Sequence, residues 1–509
     1  MTIMLDVKDI ITLLESPSAK SVSLITKAYD FAQKAHEGRT RYSGEPYFIH
    51  PYETAKSLAE IGMGPNSIAV GLLHDVIEDV DVAPEVIEKE FGKEILFLVE
   101  GVTKLGKLRY YGVERHTESL RKLFVAASQD VRAVIIKLMD RRHNMTTLEY
   151  VPKKKQRRIA LETLEIYVPI ADRLGMGQIK KELEDLAFPY VYPKENKKTE
   201  EILKKRRKES GKNLEKVLKT IKRAFGKEGF RNFRSEERIK GQYSLYKKLE
   251  RKDFDISKIH DISALRIIVP TVNDCYRVLG VVHGIWRPLP GKIKDYIASP
   301  KPNGYQSIHT TVFTGATGTI EIQIRTERMH REAQYGIASH ISYKTENRRG
   351  KNFGLDWVRQ FIPSFEFSAK ESEKQAPSSQ EEQMNIPTWI KQIAEENIKH
   401  SESKHEDYLK EIKTDFFSHR VFIFTPKGDV IDLPIDSSPV DFAYAVHSDI
   451  GNHVFGAKVN GKMASIQTEL SNGDIVEILT KEKSKPSKKW LDFVKTTLAK
   501  RHIRGALSR

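Results

Sequence analysis

The sequence predicts a multidomain protein with a helical first part, a mixed α/β second part and a small β-rich domain near its end. Over the first 190 residues, apolar side chains recur at helical spacing, for example at Leu24, Ala28, Phe31 and Ala35. Residues 319–325 alternate apolar and polar side chains, which is typical of a strand with one buried face. Residues 419–434 form two strand patterns around a Pro-Lys-Gly-Asp turn, as in a hairpin.

Length and composition narrow the class of protein. A chain of 509 residues is long enough for about three domains. Its 85 Lys and Arg residues exceed its 69 Asp and Glu residues, and the resulting net charge of +16 suits anionic ligands such as nucleotides or RNA. The single cysteine, Cys275, excludes an internal disulfide framework and a cysteine-based zinc cluster. Because there is no bilayer-length apolar run and no signal-peptide pattern at Met1–Ile11, we expect a cytoplasmic protein without membrane contact.

Metal-ligand residue types interrupt the helical pattern of the first part. They are His50, the adjacent His74 and Asp75, Glu78, Asp79 and Asp140. If residues 71–79 form one helix, Glu78 lies one turn from His74, and Asp79 one turn from Asp75. Two imidazoles with two carboxylates suit Mn, Fe or Zn better than Mg or Ca. An adjacent His-Asp pair alone is more often a surface or capping feature, so the prediction of a metal site depends on the whole set.

A strongly basic helical segment follows at residues 194–225. Ile202, Leu214, Val217, Leu218, Ile221 and Phe225 supply its packing stripe. We interpret its charge run as a solvated helix face, with nucleic-acid contact as the alternative.

The stretch from Gly291 to Arg325 carries the pattern most suggestive of chemistry. Three lysines, Lys292, Lys294 and Lys301, fall on predicted loops, where phosphate binding is common. The Asn303-Gly304 turn leads to Tyr305, a rigid stacking surface. On the following strand, one face presents Glu321, Gln323 and Arg325. This combination indicates a site for a metal-bound, phosphorylated ligand, and the alternative is a half-buried strand with a solvated face.

The rest of the chain predicts a linker and a small domain. Residues 346–385 are rich in Ser, Glu, Gln and Lys, and 388–413 read as a helix. After the hairpin, Ser438-Pro439 begins a short helix, and two further strand patterns complete a β-grasp arrangement. A basic tail follows.

Several sequence strings resemble known families. The pattern of His50, His74-Asp75 and Asp140 resembles the HD metal-dependent phosphohydrolase superfamily. Across nearly the whole chain, the motifs YSGEPYFIHP, LLHDVIED, DRRHNM, RIKGQYSLYKK, DISALRIIV, PKPNGYQSIHTTV, EIQIRT and FIFTPKGDVIDLP resemble the RelA/SpoT homologue family of bifunctional (p)ppGpp synthetase/hydrolases.

The resemblance implies a domain order. It comprises an all-α HD-type hydrolase domain at 1–193, an α/β nucleotidyltransferase-like synthetase domain with a mixed sheet at 194–345, a linker and helical segment at 346–413, a TGS β-grasp domain at 414–482 and a basic helical tail at 483–509.

The resemblance also implies two opposed reactions. One transfers pyrophosphate from ATP to the 3′-hydroxyl of GDP or GTP, giving (p)ppGpp and AMP. The other removes that 3′-pyrophosphate from ppGpp or pppGpp. The resemblance further implies Mg²⁺ at the synthetase site and Mn²⁺ at the hydrolase site. The TGS domain and the basic surface imply contact with the ribosome or tRNA.

For the synthetase, the matched motifs imply residue roles. Arg238 and Arg266 would sandwich adenine, and Lys240, Ser244 and Lys247 would hold the ATP phosphates. Asp261 and Glu321 would hold Mg²⁺, and Glu321 would also activate the attacking hydroxyl. The guanine-nucleotide site would comprise Lys292, Lys294, Lys301, Asn303, Tyr305, His309 and Gln323. Where bifunctional members carry an RxKD motif, Lys292-Ile293-Lys294-Asp295 keeps the charge and loses the bidentate guanidinium.

For the hydrolase, His50, His74, Asp75 and Asp140 would bind the Mn²⁺-type ion. Glu78 and Asp79 would orient water and accept its proton. Arg41, Asn144 and Thr147 would hold the nucleotide.

Two other hypotheses belong to different classes. The first is a ribosome- or tRNA-associated regulatory sensor in which only one catalytic site, or neither, is active. The second is an HD-type nucleotide phosphohydrolase with unrelated appendages.

Overall fold

The computed structural model describes residues 5–103, 123, 126–127, 129–256, 259, 263–301, 303–315, 318–339, 341, 420–426, 430–471, 473–481 and 483–508. Asp261, the predicted linker and helix at 346–413, and most of the Pro-Lys-Gly-Asp turn lie outside these residues. Two compact units are present, one of residues 1–103 and 132–350, the other of 104–131 and 351–509.

The first part of the first unit is helical, as predicted. Its helices are Val7–Ile11 (α1), Ala19–Ala35 (α2), Ile49–Glu60 (α3), Pro65–Leu73 (α4), Val76–Val80 (α5), Pro84–Phe91 (α6), Lys93–Val102 (α7), Arg132–Thr146 (α8), Lys153–Glu162 (α9), Val168–Arg173 (α10) and Gly177–Val191 (α11). A 3₁₀ turn at Leu148–Tyr150 and a π-helical turn at Thr163–Tyr167 lie between them. None of the helices described in the chain is long and apolar enough to cross a bilayer.

A close helix contact aligns two predicted metal ligands. At Gly71 on α4, an added Cβ would lie 2.7 Å from Cδ1 of Leu58 and 3.0 Å from Cα of Ala55, both on α3. Only glycine therefore allows this approach of the two helices. The approach brings His74, at the end of α4, beside His50, near the start of α3.

A long helix, Pro193–Lys227 (α12), connects the helical part to the sheet part. Its predicted packing stripe is confirmed, because Leu214, Val217, Ile221 and Phe225 are buried in the core of the sheet part, with Leu218 packed against it. The charged residues between these positions, Glu215, Lys216, Lys219, Lys222 and Arg223, are exposed, as expected opposite a buried stripe.

The sheet part consists of the strands Arg234–Ile239 (β1), Ser263–Val269 (β2), Pro288–Asp295 (β3), Ile308–Phe313 (β4) and Thr319–Thr326 (β5), with the helices Gln242–Glu250 (α13), Val272–Ile285 (α14) and Glu327–Tyr335 (α15). Among the described residues, the strand order is β1-β2-β5-β4-β3. Only the β2–β5 pair is parallel, so the sheet is mixed as predicted.

The alternation predicted for β5 is confirmed. Ile320, Ile322 and Ile324 enter the hydrophobic core together with residues of α12 and α14. Since side chains alternate along a strand, Glu321 and Gln323 lie on the opposite face. One sequence pattern therefore supplies both a core and a polar surface.

The second unit contains the strands Arg420–Phe424 (β6), Val430–Pro434 (β7), Val454–Val459 (β8), Lys462–Ala464 (β9) and Val476–Thr480 (β10), the helices Pro439–Val446 (α16), Ser448–Asn452 (α17) and Thr497–Leu507 (α18), and a 3₁₀ turn at Lys488–Asp492. The hairpin of β6 and β7 and the capped helix at Ser438-Pro439 are confirmed. A parallel bridge between Phe424 and Ile475 joins the hairpin to the β10-β8-β9 sheet, consistent with a β-grasp fold.

We predict that Ile322→Ala destabilises the sheet by about 2–5 kcal/mol, because the fully buried side chain would leave a cavity between the sheet and its helices. Denaturant-dependent hydrogen exchange of the β5 amides measures this locally. Ile293→Ala, at a side chain that is 47% exposed, is the matched control and should change little. Equal exchange in both variants would contradict the packing described.

Candidate active sites

Side chains from three helices converge in a buried cluster. His50 Nε2 lies 3.2 Å from His74 Nε2, 3.3 Å from Asp140 Oδ1 and 3.5 Å from Asp75 Oδ2. Asp75 Oδ1 lies 3.3 Å from His74 Nε2. The four predicted metal ligands are thus brought together, and one donor atom each from His50, His74 and Asp140 lies within 4.8 Å of the others.

The helical path through this cluster differs from the continuous helix over residues 71–79 that we considered. Helix α4 ends at Leu73, and α5 begins at Val76. Adjacent side chains on an unbroken helix point about 100° apart. The break at His74 and Asp75 instead allows both side chains to face His50.

Second-layer hydrogen bonds fix the histidine tautomers. His74 Nδ1 lies 2.8 Å from the Gly71 carbonyl, to which it donates, so a neutral His74 ring has its lone pair at Nε2. His50 Nδ1 lies 2.8 Å from His143 Nδ1, which also accepts from Arg41 Nη1 at 3.1 Å. His50 is therefore the donor in that pair, and its Nε2 is also unprotonated. Two nitrogen lone pairs and carboxylate oxygens meeting at this distance fit a divalent cation.

Buried charge at the cluster is partly balanced by a lysine. Lys137 Nζ lies 2.7 Å from Asp140 Oδ2 and donates to the Val102 carbonyl. Burial alone would raise the pKa of Asp140, but the ammonium of Lys137 outweighs it and holds that pKa well below its ordinary value. Asp140 is therefore an anion ready to bind a cation.

The predicted nucleotide contacts line the same cluster. Arg41 Nη2 donates to Asn144 Oδ1 at 2.8 Å, and Asn144 Nδ2 donates to Asp140 Oδ1 at 2.5 Å. Thr147, one helical turn beyond His143, is half-buried and caps the carbonyls of His143 and Asn144. Asn144 thus links the guanidinium of Arg41 to Asp140, one of the predicted metal ligands.

The predicted acids lie on the short helix α5, where Glu78 and Asp79 are both half-buried. The Tyr47 hydroxyl donates to Asp79 Oδ2 and lies 3.1 Å from Asp75 Oδ2. Burial and these two carboxylates raise the pKa of Tyr47. Tyr47 is thus a neutral donor shared by two acids.

The second candidate site occupies the polar face of the five-stranded sheet. Register places Arg266 beside Gln323 and Glu236, His309 beside Gln323, and Lys294 beside His309. By strand alternation this face presents Glu236, Arg238, Arg266, Lys292, Lys294, His309, Glu321, Gln323 and Arg325. About half of the predicted synthetase residues therefore share one surface.

Several buried polar atoms on this face have no hydrogen-bond partner among the described residues, namely Arg266 Nε, Gln323 Oε1 and Arg325 Nε. Buried polar atoms are normally paired, so such a group indicates room for a polar ligand. Burial and the neighbouring guanidinium groups of Arg266 and Arg238 lower the pKa of Arg325 to about 10. Excess positive charge on this face fits phosphate-rich substrates.

A hydrogen-bonded chain crosses the centre of this face. His309 Nδ1 lies 2.7 Å from Glu321 Oε1, and His309 Nε2 lies 2.8 Å from the Tyr305 hydroxyl. Burial lowers the pKa of His309, with the Glu321 carboxylate opposing that shift, so the ring is neutral near pH 7. A neutral ring that donates from Nδ1 to Glu321 accepts from Tyr305 at Nε2.

Of the three lysines predicted on loops, only Lys301 lies on one, because Lys292 and Lys294 belong to strand β3. All three residues are exposed, and Lys301 Nζ lies over the rings of Tyr296 (4.8 Å) and Tyr305 (5.1 Å). Desolvation of its ammonium group lowers the pKa of Lys301. Asn303 donates its side-chain amide to the Asp172 carbonyl at 3.0 Å, at the end of α10 in the helical part.

Predicted ATP-phosphate residues lie around α13, which begins just after Lys240. Ser244 Oγ donates to Glu184 Oε2 on α11 at 2.7 Å, and Lys247 Nζ lies 2.5 Å from Glu250 Oε2. Both side chains thus hold carboxylates in this structure. The predicted metal ligand Asp261 lies outside the described residues.

Sequence reasoning missed three residues of the helical cluster, namely Tyr47, Lys137 and His143. Two of them could have been found from helical spacing, because Lys137 and His143 lie three residues before and after Asp140, on the same helix face. Tyr47 reaches the cluster through the loop before α3, which no periodicity reveals.

Comparisons with known families match all three parts of the chain. The HD domain matches residues 28–177, the region found in RelA/SpoT proteins matches 237–348, and the TGS domain matches 421–480. These matches agree with the helical cluster, the mixed sheet and the β-grasp unit.

Similar proteins carry the names of two activities. A GTP pyrophosphokinase of Myxococcus xanthus is 44% identical over 95% of this chain and 60% of its own length. A guanosine-3′,5′-bis(diphosphate) 3′-pyrophosphohydrolase of Borreliella burgdorferi is 39% identical over 95% of this chain and 68% of its own length. This chain thus spans about two thirds or less of these relatives. A solved small alarmone synthetase 1 from Bacillus subtilis bound to pppGpp is 28% identical over 30% of this chain and 84% of its own, with a TM-score of 0.23, too low to support an argument.

We predict that His74→Ala abolishes high-affinity Mn²⁺ binding, because the buried cluster would lose one of its two nitrogen donors. Electron paramagnetic resonance titration of free Mn²⁺ measures this directly. His283→Ala changes a half-buried histidine of the sheet part that bonds to Thr310, and it should bind Mn²⁺ as the unaltered protein does. Equal affinity in both variants would exclude the cluster as the metal site.

Proposed function

This chain belongs to the RelA/SpoT family, and on that basis we propose that it both makes and degrades (p)ppGpp. It would transfer pyrophosphate from ATP to the 3′-hydroxyl of GDP or GTP, releasing AMP, and it would hydrolyse (p)ppGpp to GDP or GTP and pyrophosphate. One observation supports both activities: a buried His/Asp cluster and a separate polar sheet face occur in one compact unit. The direct test is to assay both reactions on one preparation.

For hydrolysis, His50, His74, Asp75 and Asp140 would hold a Mn²⁺-type ion. Such an ion, when bound, supplies a water molecule of lowered pKa. Asp79, held by Tyr47, and Glu78 would orient that water and accept its proton. Arg41 and Asn144, already joined at 2.8 Å, would position the nucleotide phosphate together with Thr147.

For synthesis, Glu321 would hold Mg²⁺ together with Asp261, and Mg²⁺ neutralises charge on the ATP phosphates. The 3′-hydroxyl oxygen of the acceptor would bond to the β-phosphorus of ATP as the bond from that phosphorus to the AMP oxygen breaks. Glu321 would accept the hydroxyl proton. The His309–Tyr305 chain fixes the orientation of this carboxylate before substrate arrives.

Substrate binding would replace contacts inside the protein. Arg238 and Arg266 would hold adenine between them, and Ser244 and Lys247 would exchange Glu184 and Glu250 for ATP phosphates, with Lys240 beside them. Tyr305 would stack on guanine, and Lys292, Lys294, Lys301, Asn303 and Gln323 would complete the acceptor site. Asn303 would first have to leave the Asp172 carbonyl.

We also propose RNA contact, with ribosome or tRNA, through the second unit. A TGS domain matches there, and the exposed Phe455 ring lies 5.3 Å below Lys481 Nζ. An exposed aromatic ring with a lysine suits stacking on single-stranded bases.

We also propose the domain boundaries predicted from the sequence and a cytoplasmic location. Sensing with only one active site is the second candidate function, and finding only one of the two activities would favour it.

We predict different metal requirements for the two sites. The helical cluster includes nitrogen ligands, whereas the synthetase carboxylates offer only oxygen. After chelator treatment, Mg²⁺ alone should restore synthesis with little hydrolysis, and Mn²⁺ should restore hydrolysis. Ion-exchange chromatography of the products measures both. Full hydrolysis with rigorously Mn-free Mg²⁺ would contradict the assignment.

We predict separate effects of the ring and hydroxyl of Tyr305. Tyr305→Ala should raise KM for GDP and GTP, because loss of a base–aromatic stack costs about 1–3 kcal/mol. Tyr305→Phe should keep KM and lower kcat by the loss of one hydrogen bond to His309, about 0.5–1.5 kcal/mol. Steady-state kinetics separate the two. The same rise in KM in both variants would argue against stacking.

A further inference from the structure

We propose that Tyr47 is a positioning residue of the helical cluster, whose hydroxyl holds the carboxylates of Asp75 and Asp79 in their working orientations. This inference rests on the proposed hydrolase function. Its starting observation is that one hydroxyl lies 3.1 Å from Asp75 Oδ2 and also donates a hydrogen bond to Asp79 Oδ2.

The backbone places Tyr47 with little freedom. A short hairpin turns at Gly44, whose φ of +82° favours glycine, and Arg41 N donates to the Glu45 carbonyl at 2.9 Å. Tyr47 N then donates to the Arg39 carbonyl at 2.9 Å, and α3 begins two residues later at Ile49. The same hairpin therefore carries both Arg41, which contacts His143 and Asn144, and Tyr47, which contacts the two aspartates.

The tyrosine ring is held from the side as well. It stacks on His36 with centroids 4.9 Å apart and an interplanar angle of 26°. His36 is 2% exposed, and neither of its ring nitrogens has a hydrogen-bond partner among the described residues. An uncharged ring without polar partners acts here as a flat packing surface, which limits rotation of Tyr47 about its side-chain bonds.

The Tyr47 hydroxyl lies where it can hold Asp75 in its orientation toward the two histidines. Asp75 directs Oδ1 toward His74 and Oδ2 toward His50, while the same Oδ2 faces Tyr47. Asp79 lies beside it, and two neighbouring carboxylates repel each other. A donor between them offsets that repulsion and keeps Asp75 turned toward the histidines. Hydrogen bonds to a ligating carboxylate typically change metal affinity or activity by about 10–100-fold.

The test compares Tyr47→Phe with Tyr52→Phe in the full chain. Tyr52 is also buried, and its hydroxyl lies 3.1 Å from both the Asp6 carbonyl and Asp9 Oδ2, away from the cluster. The readouts are Mn²⁺ affinity of the nucleotide-free protein by electron paramagnetic resonance, and kcat and KM for ppGpp hydrolysis. Synthetase activity of each variant reports that the chain is folded.

We expect Tyr47→Phe to weaken Mn²⁺ binding about 10–100-fold and to lower hydrolytic kcat with KM nearly unchanged, with partial rescue at high Mn²⁺. Tyr52→Phe should alter neither. Unchanged Mn²⁺ affinity in Tyr47→Phe, a rise in KM alone, or equal losses in both variants would overturn the inference. If His74→Ala also bound Mn²⁺ normally, the proposed metal site itself would fail, which is a distinguishable result.

Discussion

The close approach of α4 to α3 at Gly71 is the constraint on which the helical half depends. It brings two unprotonated histidine nitrogens to 3.2 Å, and two carboxylates meet them there. Such a gathering of acceptors is unfavourable unless cations balance it. Lys137 supplies one cation to Asp140. One donor atom each from His50, His74 and Asp140 lies within 4.8 Å of the others, so packing creates an excess of acceptors that a metal ion would balance.

The polar face of the sheet has an excess of positive charge, whereas the helical cluster has an excess of acceptor atoms. Arg238, Arg266 and Arg325 lie on one face, where Glu236 is 3.1 Å from Arg266. The Nε atoms of Arg266 and Arg325 are buried and have no hydrogen-bond partner among the described residues, while the isoleucines of β5 pack into the core on the other side of the strand. The positive face suits nucleotides, whereas the helical cluster suits a cation. This contrast agrees with one site that assembles a phosphorylated product and one that takes it apart.

The features that could be predicted from the sequence are those that depend on residues close together in the chain. The alternation of β5 and the stripe of α12 are local patterns, so the sheet, its two faces and the packing helix could be predicted. Motif resemblance also named His50, His74, Asp75 and Asp140, the four residues that the structure brings together. The break between α4 and α5 could not be predicted, because tertiary packing overrides a continuous helical pattern there. Tyr47 was missed because its contact is not local: its hydroxyl bonds to Asp79, which lies 32 residues further along the chain.

The contacts of Asn303 and Ser244 show a further limit of motif reasoning. A motif assigns each residue a ligand, but both side chains here bind the helical part, at Asp172 and Glu184. A phosphate group carries more charge than Glu184 and can replace it at Ser244, yet the exchange leaves a buried acid whose pKa burial already raises. Under the proposed function, nucleotide binding in the sheet half thus changes the environment of α11 in the helical half. Helix α11 belongs to the helical half and contacts Ser244 of the sheet half, so the synthetase motifs alone do not describe the surroundings of Ser244.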